Sequence, residues 1–192
     1  MNKQDLRKLY KDKRNSLSQQ EINQFSEVIC KQLIDLLNSA VEQTVHCFIP
    51  IQQHNEVNTW PIIEHCIQKN KKITIASSVS NFDNNTLQHL VLTSNTEYNT
   101  NAYNITEPTN GYTIASNQFT SVIIPLLCCD KKGNRVGYGK GFYDRFLAEC
   151  SPSVQKIGVS FFPPIDAIIE SNSFDIPLNL LVTPEKVFTF NQ

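Results

Sequence analysis

Glycine is scarce in this chain, with six among 192 residues, and methionine and tryptophan occur once each. Neither sign of charge dominates, because 17 Lys and Arg face 18 Asp and Glu. That balance gives no global field for nucleic acid or for an anionic membrane surface. No apolar run approaches the roughly 20 residues that span a bilayer. The opening "MNKQDLRKLYKDKRNSL" carries charge but no apolar stretch, so it is not read as a secretory signal. Cys30, Cys47, Cys66, Cys128, Cys129 and Cys150 form no C-x-x-C pair. Several sit among apolar residues, where a thiol acts as a small hydrophobe, so reduced cysteines in a cytoplasmic protein are expected. No repeat or linker divides the sequence, and residues 1–192 are expected to form a single domain.

What is present is patterned. Ser18-Gln-Gln-Glu21 is a capping box, and Ile22, Phe25, Ile29, Leu33 and Leu36 follow at spacings of three and four. This predicts an amphipathic helix over about 19–38. A shorter helix is expected over 3–15, around Leu6, Leu9 and Tyr10. Buried strands are expected at "TVHCFIPI" (44–51), "KKITIASS" (71–78) and "TSVIIPLL" (120–127), with "LQHLVLT" (87–93) as an edge strand. Thr59 is placed to cap a helix containing Trp60, Ile63 and Cys66, with Pro61 in its first turn. The Asn- and Thr-rich 94–118 reads as a long loop, 142–150 as a helix, and 156–162 and 179–190 as further strands. Strands alternating with helices predict an α/β fold, an open, largely parallel sheet flanked by helices.

Four of the six glycines fall in "CCDKKGNRVGYGKGFYDRFLAEC", directly after the strand "SVIIPLL". A loop that leaves a parallel strand and opens a helix is where open α/β sheets take ligands. Gly137, Gly139 and Gly141 alternate, which lets backbone N–H groups approach an anion, and the next helix adds its positive end. Lys131, Lys132, Arg135, Lys140 and Arg145 add cations, and Asp144 could hold Mg²⁺. The same residues also fit a surface hairpin turn with solvated cations, and spacing alone does not choose. Neither G-x-x-x-x-G-K-[ST] nor G-x-G-x-x-G is matched, because Asn134 stands five before Gly139 and Phe142 takes the last glycine's place.

The longer pattern is more specific. Pro125, Asp130, Gly133, Arg135, Gly137, Gly139, Gly141, Phe142, Tyr143 and Asp144 together resemble the signature of the 5-formyltetrahydrofolate cyclo-ligases, also called 5,10-methenyltetrahydrofolate synthetases. The likeness runs along nearly the whole chain. Lys3 and Arg7 match the family's basic pair, and "FIPIQQHNEVNT" its segment ending in Glu-x-x-Thr. "YNITEPT" (103–109) matches its "EP" segment; "KIGVSF", Asp175 and "LLVTPEKV" match its closing part. Three departures stand out. Cys128-Cys129 replace small residues, "FFPPIDAI" (161–168) replaces a segment that usually carries Gln, and "ITIASSVS" lacks a Pro.

The resemblance implies ATP-dependent closure of 5-formyltetrahydrofolate to 5,10-methenyltetrahydrofolate, with ADP and phosphate released and Mg²⁺ as cofactor. It implies catalytic roles for Arg135, Lys140 and Tyr143. ATP would meet Lys3, Arg7 and the run Gly133, Asn134, Arg135, Val136, Gly137, Tyr138, Gly139, Lys140, Gly141, Phe142 and Tyr143. The folate would meet Ile51, Glu56 and Tyr138, and Mg²⁺ would meet Asp144 and Asp175. A monomer or weak oligomer without nucleic-acid or membrane partners is expected. Each residue also has an ordinary reading. Lys3 and Arg7 would be solvated helix charges, Glu56 a carboxylate at a helix start, and Tyr143 a half-buried helix residue.

Other activities fit less well. His54-Asn55-Glu56 supplies half of a zinc-deaminase pattern, but Pro125-Leu126-Leu127-Cys128-Cys129 breaks the P-C-x-x-C half. His46, His65 and His89 lack ligand spacing, and no histidine is locally placed to activate Cys128 or Cys129 as a nucleophile. A non-catalytic nucleotide or folate binder is disfavoured by the retained Arg135, Lys140 and Asp144.

Overall fold

The structure, a computed structural model, describes residues 1–38, 42–68 and 72–190. The capping box closes as its sequence predicts. Ser18 donates through its N–H and its hydroxyl to Glu21 Oε2 at 2.8 and 2.7 Å, and Glu21 N–H donates to Ser18 Oγ at 3.2 Å. It starts the second of the four α-helices among the described residues: α1 (Lys3–Asn15), α2 (Gln19–Asn38), α3 (Trp60–Gln68) and α4 (Phe142–Glu149). The strands before the glycine stretch are β1 (Gln43–Cys47), β2 (Ile73–Asn81), β3 (Thr86–Val91), β4 (Tyr98–Thr100), β5 (Thr106–Pro108), β6 (Thr113–Ile114) and β7 (Ser121–Pro125). After them come β8 (Cys128–Cys129), β9 (Arg135–Val136), β10 (Gln155–Val159), β11 (Leu180–Val182) and β12 (Val187–Thr189).

The main sheet has the order β12-β11-β10-β7-β1-β2-β3-β6. Its middle, from β11 to β2, is parallel, while β12, β3 and β6 pair antiparallel at the two sides. Alternation along the strands feeds two cores. Val45, Cys47 and Ile123 pack with Ile29 and Leu33 of α2 and Ile62 and Ile63 of α3. Val122 and Ile124 pack on the opposite face with Phe146 and Leu147 of α4. The β1-to-β2 crossover therefore lies on one face and the β7-to-β10 crossover on the other. β1 and β7 are neighbours whose chains depart in opposite directions, which opens a crevice at their carboxyl ends.

His46, on β1, belongs to the α4 face and is fully buried. Its Nε2 lies 2.7 Å from Ser78 Oγ, and that oxygen lies 3.0 Å from His89 Nδ1. Burial, and then the neighbouring His89, hold His46 well below its ordinary value, and burial pushes His89 down to about 4. Both imidazoles are neutral in the native state, whereas the unfolded chain takes up these protons near pH 6.5. Stability is therefore lost as pH falls below 6.5, by up to about 1.4 kcal/mol per pH unit for each histidine. Urea denaturation at pH 7, 6 and 5 should show this slope, and His89→Gln should flatten it by about half. An unchanged slope in that variant would count against the buried-neutral assignment.

Several local expectations are corrected. The 94–118 segment is not one loop, because β4 and β5 form a hairpin through Asn99↔Glu107 and β6 pairs with β3 through His89↔Ile114. β3 is consequently not the sheet's edge. The expected 44–51 strand ends at Cys47, and the chain then leaves the sheet toward Glu56. Thr59 does not cap α3 with its side chain; its hydroxyl donates to Phe48 O at 2.6 Å, and Asn58 Oδ1 accepts Trp60 N–H at 3.2 Å. Residue 71 of the expected 71–78 strand lies outside the described residues.

Candidate active site

The segment after β7 first makes a hairpin over 128–136 and then a glycine loop, so the hairpin reading describes only its first part. β8 pairs antiparallel with β9 through Cys129↔Arg135. Asp130 is fully buried and organises the turn between them. Its Oδ1 accepts N–H from Lys132 and Asn134 at 2.8 and 2.9 Å; its Oδ2 accepts Asn134 Nδ2 and Ile169 N–H at 2.8 and 2.9 Å. Strand alternation then separates β9's two side chains. Val136 is buried against Leu6 and Tyr10 of α1, while Arg135 projects into the crevice. Gly133 and Asn134 stay in the turn, so with Val136 they do not line the cleft.

That cleft has a volume of about 1110 Å³ and runs from α1 and the glycine loop to the exit of β1. Gly139 and Gly141 have φ of +96° and +74°, which only glycine adopts without strain. Gly137 is different: its φ is not positive, and open space lies where a Cβ would stand. Arg7 Nε donates to Gly137 O at 3.0 Å, and Arg145 Nη1 donates to Lys140 O at 3.0 Å, so cations hold the loop from both sides. The Lys140 side chain is exposed at the rim.

Two ion pairs occupy this end. Arg135 Nη2 donates to Asp144 Oδ1 at 2.6 Å, with the arginine side chain 7% and the aspartate 31% exposed. Burial pulls the Arg135 guanidinium down, opposed by Asp144 and Asp175. Lys3 Nζ donates to Asp175 Oδ2 at 2.6 Å, and Asn172 N–H donates to the same oxygen at 2.7 Å. Burial alone would raise Asp175, but these donors hold its carboxyl below the usual range. The altered 161–168 segment does not carry Asp175 away, because Ile165 bridges Asp130 and Ile176 N–H reaches Asp144 Oδ1 at 3.2 Å.

The other end centres on Glu56, 5% exposed. Its Oε2 accepts Ile51 N–H at 2.8 Å and its Oε1 accepts the Tyr138 hydroxyl at 2.5 Å. Burial raises the Glu56 carboxyl, and the Ile51 N–H, the Tyr138 hydroxyl and the Arg14 charge pull it back. Tyr143 packs on the His46 ring at 5.8 Å, and burial pushes its phenol far up, so it stays neutral. The cleft thus brings together Lys3, Arg7, Ile51, Glu56, Arg135, Gly137 to Tyr143, Asp144 and Asp175.

Sequence reasoning missed Arg14, and it missed Phe82 and Tyr103 at the cleft edge. Their rings lie 4.1 Å apart, and Phe142 meets Phe82 at 5.4 Å. Arg14 is buried and donates to the Tyr138 hydroxyl at 2.8 Å. Its one signal was its place on the helix face shared by Lys3 and Arg7.

The family model for the 5-formyltetrahydrofolate cyclo-ligase family matches residues 1–180. A probable 5-formyltetrahydrofolate cyclo-ligase of Schizosaccharomyces pombe is 26% identical over 97% of each chain. The NMR structure of Aquifex aeolicus 5,10-methenyltetrahydrofolate synthetase superposes with a TM-score of 0.80 and 26% identity, covering 100% of this chain and 94% of that one. A 5,10-methenyltetrahydrofolate synthetase from Mycoplasma pneumoniae gives a TM-score of 0.77 and 25% identity over 96% of this chain and 100% of that one. With the family matched over 1–180 and the same fold throughout, this chain belongs to the 5-formyltetrahydrofolate cyclo-ligase family of enzymes.

Proposed function

We propose that this enzyme closes 5-formyltetrahydrofolate to 5,10-methenyltetrahydrofolate using ATP, with release of ADP and phosphate. One observation carries the reading: a single cleft joins a cation-rich glycine loop, with its two ion pairs, to the buried carboxylate of Glu56. An N-formyl oxygen is a poor leaving group. Moving the γ-phosphoryl group onto it forms an O–P bond and frees ADP. N10 then attacks the formyl carbon, the C–O bond breaks, and phosphate departs with the N10 proton. Such a transfer needs positioning and charge neutralisation, not a protein nucleophile.

Arg135 and Lys140 neutralise phosphate charge, and the backbone from Gly137 to Gly141 supplies N–H donors. The open space at Gly137 suits close approach of a phosphate. Lys3 and Arg7 reach the triphosphate from α1. The neutral Tyr143 phenol can donate, and Ile51 offers apolar contact beside the folate. Glu56, with Tyr138 next to it, accepts the N–H groups of the pterin edge.

Asp144 and Asp175 each accept their hydrogen bonds through one oxygen. Among the described residues, no group of three His, Cys, Asp or Glu forms a metal cage. This donor set suits an ion held by one or two carboxylates that completes its shell with water and phosphate, as Mg²⁺ does. Bound there, Mg²⁺ would supply positive charge to offset that of the phosphates.

The test is direct. Protein, 5-formyltetrahydrofolate, ATP and Mg²⁺ are mixed, and the near-ultraviolet absorbance of the methenyl product is followed together with ADP. Product in step with ADP supports the reading, and ADP without methenyl product overturns it. Within that assay Lys140→Ala should raise the ATP KM by only about two- to fivefold, since an exposed cation is screened by solvent. A loss as deep as that of Arg135→Ala would move Lys140 into the centre of the site.

A further inference from the structure

Helix α1 reaches the cleft at both ends. Lys3 and Arg7 bond Asp175 and the glycine loop, while Arg14 lies beside the Glu56 network. The Arg14 guanidinium ties together three separate segments. Its Nη1 donates to His54 O at 3.4 Å and to the Tyr138 hydroxyl at 2.8 Å, and its Nη2 donates to Leu126 O. These belong to the exit of β1, the glycine loop and the exit of β7. The Tyr138 ring also stacks on His54 at 4.9 Å.

A guanidinium can only donate. With Arg14 bonded to its oxygen, the Tyr138 hydroxyl sends its own proton to Glu56 Oε1 at 2.5 Å. Ile51 N–H holds the other oxygen. The carboxylate is fixed at both ends, with a cation behind it. Arg14 itself does not line the cleft. Its Nε is buried without a partner among the described residues, a costly arrangement if the only purpose were anchorage. Leu6 and Tyr10 already pack α1 onto Leu127, Cys128 and Val136.

We infer that Arg14 is a positioning residue, which aims the Tyr138 hydroxyl at Glu56 and keeps that carboxylate ionised and oriented toward the pterin. The inference rests on the folate reading of Glu56 given above. Among the described residues, the titratable and charged groups that act on Glu56 are Arg14 from α1, Tyr138 from the glycine loop and Tyr143 from α4, while His54 on its own loop sits by Lys11 and Arg14.

The experiment uses the full ligand-free chain with ¹³C-labelled glutamate, the Glu56 resonance being assigned by its loss in Glu56→Gln. Arg14→Met should raise the proton affinity of Glu56 at least about tenfold. In turnover it should raise the folate KM about 10- to 100-fold and move the acid limb of kcat/KM to higher pH, with the ATP KM within about threefold. Arg14→Lys should recover part of this, and Tyr138→Phe should add little to Arg14→Met, as expected of one network. A lower melting temperature with an unchanged Glu56 titration overturns the inference. If the titration moves while Arg14→Met and Glu56→Gln both keep the wild-type folate KM, Arg14's action on Glu56 stands and the folate reading of Glu56 falls.

Discussion

Asp144→Asn is expected to cut turnover by about two to three orders of magnitude and to lower the melting temperature as well. The first effect follows from removing a carboxylate beside the glycine loop, where phosphate charge and Mg²⁺ would be held. The second follows from Arg135, whose side chain is 7% exposed and would lose its balancing charge. Breaking a fully buried pair costs about 3–5 kcal/mol. Asp144 is 31% exposed, so about 2–3 kcal/mol is the better figure, or some 5–10 °C for a chain of this size. Arg135→Ala should lose comparable activity with less stability, because the orphaned aspartate can hydrate and the orphaned guanidinium cannot. Single-turnover rates and melting curves on the two variants test this asymmetry. Equal stability losses, or turnover within tenfold of wild type in Asp144→Asn, would remove the aspartate from the phosphate end.

Glu56→Gln should raise the folate KM by about 10- to 100-fold while leaving the ATP KM within about twofold. The carboxylate holds Ile51 N–H on one oxygen and the Tyr138 hydroxyl on the other. An amide has one acceptor, so its NH₂ must face either a donor N–H or the Tyr138–Arg14 pair. The remaining lone pairs, which the pterin's N–H groups would use, are lost or misaligned with it. If Glu56 only ties the β1 exit to the glycine loop, the melting temperature falls and both KM values stay put. Measuring both constants and the melting curve on this one variant separates the two outcomes.

The buried parts of the fold were readable because their signals are long. Ser18 with Glu21 and the apolar positions from Ile22 to Leu36 specify α2, and "SVIIPLL" can only be buried. The 94–118 segment hid β4, β5 and β6 because strands of two or three residues, rich in Asn and Thr, show no periodicity. The candidate site was readable where the chemistry is contiguous. Contiguity does not place every side chain, since alternation and the turn direct Gly133, Asn134 and Val136 away from the cleft that Arg135 enters. Arg14 was invisible for the opposite reason: its partners are 40, 112 and 124 residues away, and locally it looks like any cation in a basic helix.

Those separations have a consequence for how the molecule assembles. The Lys3–Asp175 contact closes 172 residues, and Arg7 to Gly137 closes 130. Joining the ends of a loop of the first size costs about 4–5 kcal/mol in the length-dependent part of the chain entropy alone. Helix α1 also packs in a small cluster of its own, apart from the two cores that hold the sheet. It is therefore expected to dock late and to open before the sheet beneath it unfolds. A chain with α1 undocked would look native by most spectroscopic measures and yet lack Lys3 and Arg7 from the cleft and Arg14 from behind Glu56. Hydrogen exchange in residues 3–15 should then be faster than in the sheet, and on the roles proposed for Lys3 and Arg7 it would time the loss of the assembled site.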